Sequence, residues 1–322
     1  MLYLYFANIS INPLIIFITG LAVGIAGGAF GSLANIVIAP SLNMLGIPLP
    51  ISVSSSVGTN FARTSNLIFK GPEPAGLKRV GVVTGLIGLP GVILGFKLHL
   101  LLVETHLGAA FIKFSYIAIL LAVAAMIFRQ WIFFNRNDYY DDVPFPLVGI
   151  NWLFPLAIPG GSGLNHITTG RVAAIGLSLG LTTGLLGIGP GVLGLPLFMY
   201  ILGLPHQNAT ATDAVAMAII GTGALFTYAA AGRVEFLVIL ILILSVSLGN
   251  QIAMILPGEL NLSHARLAFS VALAVIALSV AISHFNTAFS HILMSATGLI
   301  LSLFIILYAC VTSHPAYLKK VL

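Results

Sequence analysis

Nine long apolar segments dominate this chain, and each is long enough for a membrane-spanning helix of about 20 residues. They cover residues 14–40, 50–69, 80–103, 109–133, 171–203, 208–231, 235–257, 265–283 and 288–312. Only 7% of the residues are charged, whereas soluble domains carry about 25%. The 13 Lys and Arg residues are scattered in short loops, a pattern that sets membrane topology and does not indicate nucleic-acid binding. We therefore predict an all-α integral membrane protein, a polytopic helical bundle.

The two halves of the chain share a glycine-rich pattern. With a shift of 156 residues, the matched pairs are Gly20 with Gly176, Gly24 with Gly180, Gly28 with Gly184, Gly31 with Gly187 and Pro40 with Pro196. After one inserted residue, the pairs are Leu45 with Leu202, Gly46 with Gly203 and Pro48 with Pro205. Paired repeats are typical of secondary transporters. We predict an N-terminal membrane repeat (1–133), a cytoplasmic or interfacial linker (134–170), a C-terminal membrane repeat (171–287) and an extra C-terminal transmembrane helix with its tail (288–322).

The distribution of positive charge bears on how the repeats cross the membrane. If segments 14–48 and 171–205 each enter the membrane and return, the second repeat is inverted, and ten of the 13 Lys and Arg lie inside. If all nine segments cross fully, the better orientation places eight inside. Cytoplasmic loops carry an excess of Lys and Arg. This favours two inverted repeats, each with a broken or V-shaped glycine-rich element, with the N-terminus outside and the C-terminus inside.

The second repeat contains the run GIGPG at residues 187–191. Closely spaced glycine and proline interrupt a helix, and the N-terminus of a broken helix presents N–H groups that can bind an anion. We predict a helix break here, with Gly187, Gly189 and Gly191 binding substrate. In the first repeat, the glycines that recur every fourth residue from Gly20 favour close helix packing instead.

These features resemble the TauE/SafE sulfite exporter family of bacterial membrane transporters. The resemblance covers nearly the whole chain and rests on the repeats and on the segments GLLGIGPGVLGLPLFMYILGLP, ATATDAVA and GRV. The family's glycine triplet is similar to Gly189-Pro190-Gly191, whereas the first repeat departs from it with SLAN at residues 32–35. The resemblance implies transport of a small sulfur-containing anion across the cell membrane: sulfite, sulfoacetate, a related sulfonate or thiosulfate.

A polar stripe follows the first glycine-rich element. Spacings of 4, 3, 4 and 3 place five side chains on one face of a helix: Ser52, Ser56, Thr59, Arg63 and Asn66. Hydroxyls, an amide and a guanidinium suit an oxyanion. The predicted substrate-binding residues are therefore Ser52, Ser56, Thr59, Asn60 and Arg63, together with Thr212 in the second repeat. Two alternatives stay open: hydroxyls bonded to their own helix, and an arginine that marks a cytoplasmic helix end.

Asp213 is the lone acid of the segment NATATDAVAMA, and we predict that it couples transport to protons. The alternative is a capping role at the start of its helix. His99 is expected in an extracellular loop, paired with neighbouring charged residues at a wet surface. No nucleotide-binding loop, metal-ligand motif or catalytic pair is found, so the sequence predicts no enzyme, cofactor or metal. A passive anion channel and an uptake carrier stay open as alternatives, as does the oligomeric state.

Overall fold

The computed structural model describes residues 2–6, 8–70, 75–134, 155–156, 167–188, 190–204, 206–255, 262–283 and 286–321. The helices are α1 (Pro13–Phe30), a 3-10 helix (Gly31–Val37), α2 (Ile38–Met44), α3 (Leu49–Lys70), α4 (Ala75–Val103), α5 (His106–Phe134), α6 (Thr169–Leu186), α7 (Pro190–Leu202), α8 (His206–Ala230), α9 (Phe236–Ile255), α10 (Leu262–Ile282) and α11 (Thr287–Val321). Strands β1 (Leu2–Leu4) and β2 (Ile9–Ile11) pair antiparallel, as do β3 (Pro155–Leu156) and β4 (Ile167–Thr168).

All nine predicted segments are helical, so the prediction of an all-α polytopic membrane protein is confirmed. Within the described ranges, five helices are long and apolar enough to cross a membrane, namely α4, α5, α6, α8 and α9. On α4 and α9, large apolar side chains such as Leu86, Leu94, Leu240 and Leu244 are exposed. In a membrane these exposed faces contact lipid, whose tails are as apolar as leucine.

Both predicted glycine-rich elements are divided. The first continues from α1 through the 3-10 helix into α2, and the second is interrupted between α6 and α7. The equivalent glycines that follow, Gly46 and Gly203, both adopt positive φ, at +89° and +71°. Behind them, the Ile47 N–H donates to the carbonyl five residues earlier, and the Leu204 N–H donates to the carbonyl six residues earlier. The hydrogen-bonded turn is thus one residue longer in the second repeat. This extra residue is the one insertion that is needed to match the two repeats in sequence.

The chain divides into two compact units, and each draws on both halves of the sequence. The first unit comprises Met1–Pro48, His106–Tyr140 and Phe236–Leu322, and the second comprises Leu49–Thr105 and Asp141–Glu235. This division follows contacts, whereas the boundaries at 1–133, 134–170, 171–287 and 288–322 follow the repeat pattern. Those boundaries stay a prediction.

Helix pairing in the two units follows the same scheme with the repeats exchanged. By their order in the repeats, α1 corresponds to α6, α3 to α8, α4 to α9 and α5 to α10. In the first unit α1 packs along α9, and in the second unit α4 packs along α6. Each unit also holds one pair of equivalent helices, α5 with α10 in the first and α3 with α8 in the second. This exchange supports the internal repeat, while the inversion of one repeat in the membrane and the position of the termini stay predictions.

Glycines allow these helices to approach backbone to backbone. In the first unit, a Cβ added at Gly24 would meet the main chain of Val246 and Gly249. In the second unit, a Cβ added at Gly180 would meet the main chain of Gly88. The packing role predicted for the regularly spaced glycines is therefore confirmed at Gly24, while the packing of Gly28 lies outside what the structure describes.

Candidate functional site

The predicted break in the second repeat is present. Helix α6 ends at Leu186 and α7 begins at Pro190. Between them, Gly187 has a φ of +66°, a conformation that costs other residues about 1–2 kcal/mol. Its N–H donates to the Thr183 carbonyl at 2.9 Å. A Cβ at Gly187 would lie 2.7 Å from Val53 Cγ1, so α3 packs directly against the break.

The end of α6 is buried, and side chains from three other helices contact carbonyl groups of its last turn and of Gly187, the residue that follows it. The last carbonyls of a helix have no intrahelical donor, and leaving them unpaired in a buried position is costly. The three contacts are Tyr228 Oη donating to Gly184 O at 2.8 Å, His99 Nδ1 to Leu185 O at 2.6 Å, and Ser56 Oγ donating to Gly187 O at 3.2 Å. We call Tyr228, His99 and Ser56 the carbonyl collar. The collar holds α8, α4 and α3 against the break.

Helix α3 is buried on all sides over residues 50–60, which carry the first half of the polar stripe. Every residue from position 50 to position 60 is buried, so the polar stripe is not the only inward face. Ser54 donates to the Arg233 carbonyl at 2.7 Å. Ser55 is fully buried, and its Oγ has no hydrogen-bond partner among the described residues. The spacing of the polar stripe selects one face and leaves Ser55 out, although three consecutive serines mark this turn in the sequence.

Three of the four predicted hydroxyl donors are occupied within the protein. Ser56 belongs to the carbonyl collar, Thr59 donates to the Ser55 carbonyl at 2.8 Å, and Thr212 donates to the Asn208 carbonyl at 2.8 Å. A hydroxyl has one hydrogen to donate, so Thr59 and Thr212 follow the alternative of bonding to their own helix. The other predicted positions are Ser52 and Asn60, buried on α3, Gly191, buried on α7, and the Arg63 side chain and Gly189, which lie outside the described residues.

Asp213 is buried in α8, with 4% of its surface exposed. The helix begins at His206, so Asp213 is seven residues, or about 10 Å, further along. The macrodipole effect is confined to the first turn, and the capping alternative is therefore wrong. The Asp213 Oδ1 atom has no partner within the described ranges. Since α3 packs against α8, Ser55 and Asp213 place two unpartnered polar atoms on neighbouring helices of one unit.

The expectation for His99 is wrong. Helix α4 continues to Val103, and the His99 side chain is fully buried in the second unit. It continues a line of buried α4 residues that includes Gly88 and Gly95, at helical spacings of seven and four. That spacing is the signal that could have placed it in the protein. Its Nε2 atom has no partner in the described part of the chain.

A crevice in the first unit has a different character. It lies among α1, α2, α10 and α11, and its lining includes Ile18, Ala22, Met44, Phe269 and Gly298. Among the described residues that line it, none has an ionisable side chain. An anion would lose its hydration there without gaining a charged partner, so the polar groups of the second unit form the candidate site.

The family model described as "Sulfite exporter TauE/SafE" matches residues 16–280. The matched span includes α1 to α9, the break after α6 and most of α10, and it leaves α11 outside. No curated protein matches the chain, and no solved structure matches it.

Proposed function

Since the chain belongs to the TauE/SafE sulfite exporter family, we propose that it is a secondary transporter that exports sulfite or a small organosulfonate anion. The family match and the apolar helices establish a multi-pass membrane protein of a family that transports sulfite-type anions. The substrate, the direction and the mechanism are our proposal, as is the location in the bacterial cytoplasmic membrane. We propose a carrier without enzymatic activity.

The observation that carries this proposal is that two polar atoms of the second unit, on α3 and α8, have no hydrogen-bond partner among the described residues. Nearly all buried polar groups in proteins are hydrogen-bonded, and an unpaired group costs about 1–3 kcal/mol. Ser55 Oγ and Asp213 Oδ1 are two exceptions on helices that pack together. A buried polar atom kept without a protein partner is well placed to serve a ligand that binds and leaves.

In this proposal the anion accepts a hydrogen bond from Ser55 and lies near the N-terminal turn of α7. Gly191 is in that turn, where main-chain N–H groups and the helix dipole favour negative charge. Arg63 supplies positive charge from a later turn of α3. Ser52, Ser56, Thr59, Asn60, Gly187, Gly189 and Thr212 shape the surroundings of the anion. Asp213 carries the coupling proton, as buried carboxyl groups do in other transporters.

The test is uptake of labelled sulfite, thiosulfate and sulfoacetate into proteoliposomes, with and without a pH gradient. We expect Ser55→Ala to raise the KM of the transported anion about tenfold or more, because a hydrogen bond to a charged group contributes about 1.5–3 kcal/mol. The matched control is Ser54→Ala, which removes an equally buried hydroxyl that is bonded to Arg233. It should lower thermal stability and leave KM unchanged.

A wild-type KM in Ser55→Ala would contradict the proposed site. A flux that does not saturate with substrate would indicate a passive anion channel instead of a carrier. A flux of thiosulfate that runs only inward would indicate an uptake carrier instead of an exporter.

A further inference from the structure

We infer that His99 is a proton-binding site of this transporter, located in the carbonyl collar at the end of α6. The inference rests on the proposed transport function and adds to Asp213 a second group that takes up a proton. It starts from two observations on one ring, the engaged Nδ1 atom and the unpartnered Nε2 atom.

The contact at Nδ1 determines the chemistry of Nε2. The Leu185 carbonyl, 2.6 Å from Nδ1, can only accept a hydrogen bond, so Nδ1 carries the hydrogen. In a neutral ring Nε2 is then an acceptor with a lone pair. This acceptor is buried and has no partner among the residues that the structure describes. A buried acceptor without a donor is costly, and the addition of a proton is the chemistry that an imidazole nitrogen supplies.

The neighbouring helices present few titratable groups to His99. Tyr228 of α8 is in contact, with 6.0 Å between the ring centroids, and its hydroxyl hydrogen is given to the Gly184 carbonyl. On α6, Arg171 is 14 residues before Leu185, about 21 Å along the helix. On α4, Lys97 is exposed. Within the described ranges, therefore, no carboxylate on α4, α6 or α8 is placed to pair with a protonated His99. Of the carboxylates just beyond these helices, Glu104 is exposed and Glu235 is buried with an interaction of its own.

Asp213 and His99 are separate sites. Asp213 precedes Tyr228 on α8 by 15 residues, which is about 22 Å along a helix, and Tyr228 is the α8 residue in contact with His99. This separation is a large part of the ~30 Å hydrocarbon thickness of a bilayer. A proton that binds first to one group and then to the other therefore occupies two well-separated positions along α8 in the second unit.

Proton binding at His99 is linked to the end of α6. One ring atom caps the Leu185 carbonyl and the other takes the proton. A protonated ring needs an anion or water at Nε2, and a ring that moves to reach either one leaves Leu185 uncapped. The two conformations differ in their affinity for a proton, and such a difference is what allows a ligand to shift a conformational equilibrium. The proton is thereby coupled to the helix break where the transported anion is proposed to bind.

Three His99 variants and one control separate the capping and proton-binding roles. In His99→Asn the side-chain amide can still donate to Leu185 O but cannot titrate near neutral pH. In His99→Phe both functions are lost. The matched control is Lys97→Gln, which removes an exposed titratable group two residues away. His99→Gln, whose amide reaches towards the Nε2 position, tests whether a fixed polar group there replaces a titratable one.

The measurement uses proteoliposomes with a pH-sensitive dye inside and labelled sulfoacetate or thiosulfate outside, since these anions carry no proton of their own near neutral pH. We expect wild type and Lys97→Gln to move protons with the anion. We expect His99→Asn to keep anion-for-anion exchange within about twofold while its proton flux falls at least tenfold, His99→Gln to behave in the same way or lose exchange, and His99→Phe to lose both.

The inference is overturned if His99→Asn or His99→Gln moves as many protons per anion as the wild type, or if wild type moves anions without protons. Failure of the proposed function would be visible separately, as absence of saturable anion flux in the wild-type protein whatever the dye reports.

Discussion

Gly187 and Gly203 both adopt positive φ, at +66° and +71°, but only Gly187 faces another helix. A Cβ at Gly203 would meet no described atom within 4 Å, whereas a Cβ at Gly187 would lie 2.7 Å from Val53 Cγ1 and 2.9 Å from the Val53 carbonyl oxygen. We therefore expect Gly203→Ala to lower the free energy of unfolding by about 1–2 kcal/mol, because of backbone strain alone. Gly187→Ala should lower the free energy of unfolding by roughly a further 1–3 kcal/mol, because its new methyl group would be overpacked against α3.

The melting temperature of each purified variant checks this prediction, with substrate uptake measured beside it. Gly187→Ala should melt at a lower temperature than Gly203→Ala and should lose saturable uptake, because α3 and the break cannot keep their contact. Equal melting temperatures would mean that Val53 can move away from the new Cβ without loss of stability. Backbone strain at the substituted glycine would then account for the lower stability of both variants.

Single residues differ in how far the sequence could reveal their roles. The break at Gly187 was predictable, because glycine and proline at close spacing act on their own local backbone. The burial of Ser55 was not, because a helix with lipid on one side has one inward face, whereas α3 is buried on every side over residues 50–60. His99 was misplaced because a histidine near a helix end reads as interfacial, and its partner, the Leu185 carbonyl, is 86 residues away in the chain.

Two glycine-lined interfaces, α1 with α9 and α4 with α6, are the equivalent elements of the two units. We expect Gly24→Ala and Gly180→Ala to be strongly and similarly destabilising, because each new Cβ would meet the main chain of the opposing helix. Main chain cannot rotate away as a side chain can. The control is Gly298→Ala on α11, where the added Cβ would meet only Ala22 Cβ at 3.8 Å. That substitution should gain up to about 1 kcal/mol of helix propensity.

Detergent melting curves of the three variants test these interfaces. If Gly24→Ala or Gly180→Ala has the same melting temperature as the wild type, the two helices of that interface are further apart than a direct main-chain contact. If Gly298→Ala is as damaging as the other two, the loss reflects glycine in any of these helices and not the close approach.

The elements themselves were largely predictable, and their partners were not. Hydropathy over about 20 residues identifies a membrane helix from local sequence alone, and all nine segments are helical. The pairing of α1 with α9 is a choice among helices that carry the same small-residue pattern. Gly24 would suit any similarly spaced partner, so nothing in its own segment selects Gly249 over Gly88 or Gly91.

At the scale of the whole molecule, neither half of the sequence forms a unit by itself. The first unit needs α9 and α10 from the second half, and the second unit needs α3 and α4 from the first. We therefore expect residues 1–150 and 151–322, expressed separately, to be degraded, because each fragment leaves two glycine-lined helix faces without their partners. Expressed together, the fragments should accumulate and restore uptake.

Fragment levels after a chase, and uptake by cells that contain both fragments, give the measurement. Gly24→Ala in the first fragment is the control, and it should abolish the rescue by removing the contact with α9. A first fragment that accumulates alone at the level of the intact chain would show that its helices are stable without α9 and α6.

The exchange of helices between the halves has a consequence for synthesis. Helix α1 is complete at Phe30, and its partner α9 begins at Phe236, about 200 residues later. At about 5–20 residues per second, α1 spends on the order of 10 seconds or more in the membrane before α9 has been made. The α1 sequence PLIIFITGLAVGIAGGAF contains no charged residue, so the helix can wait in lipid without exposing a charge to it. Helix α9, made after α4 and α6, packs against a partner that entered the bilayer about 200 residues earlier in synthesis.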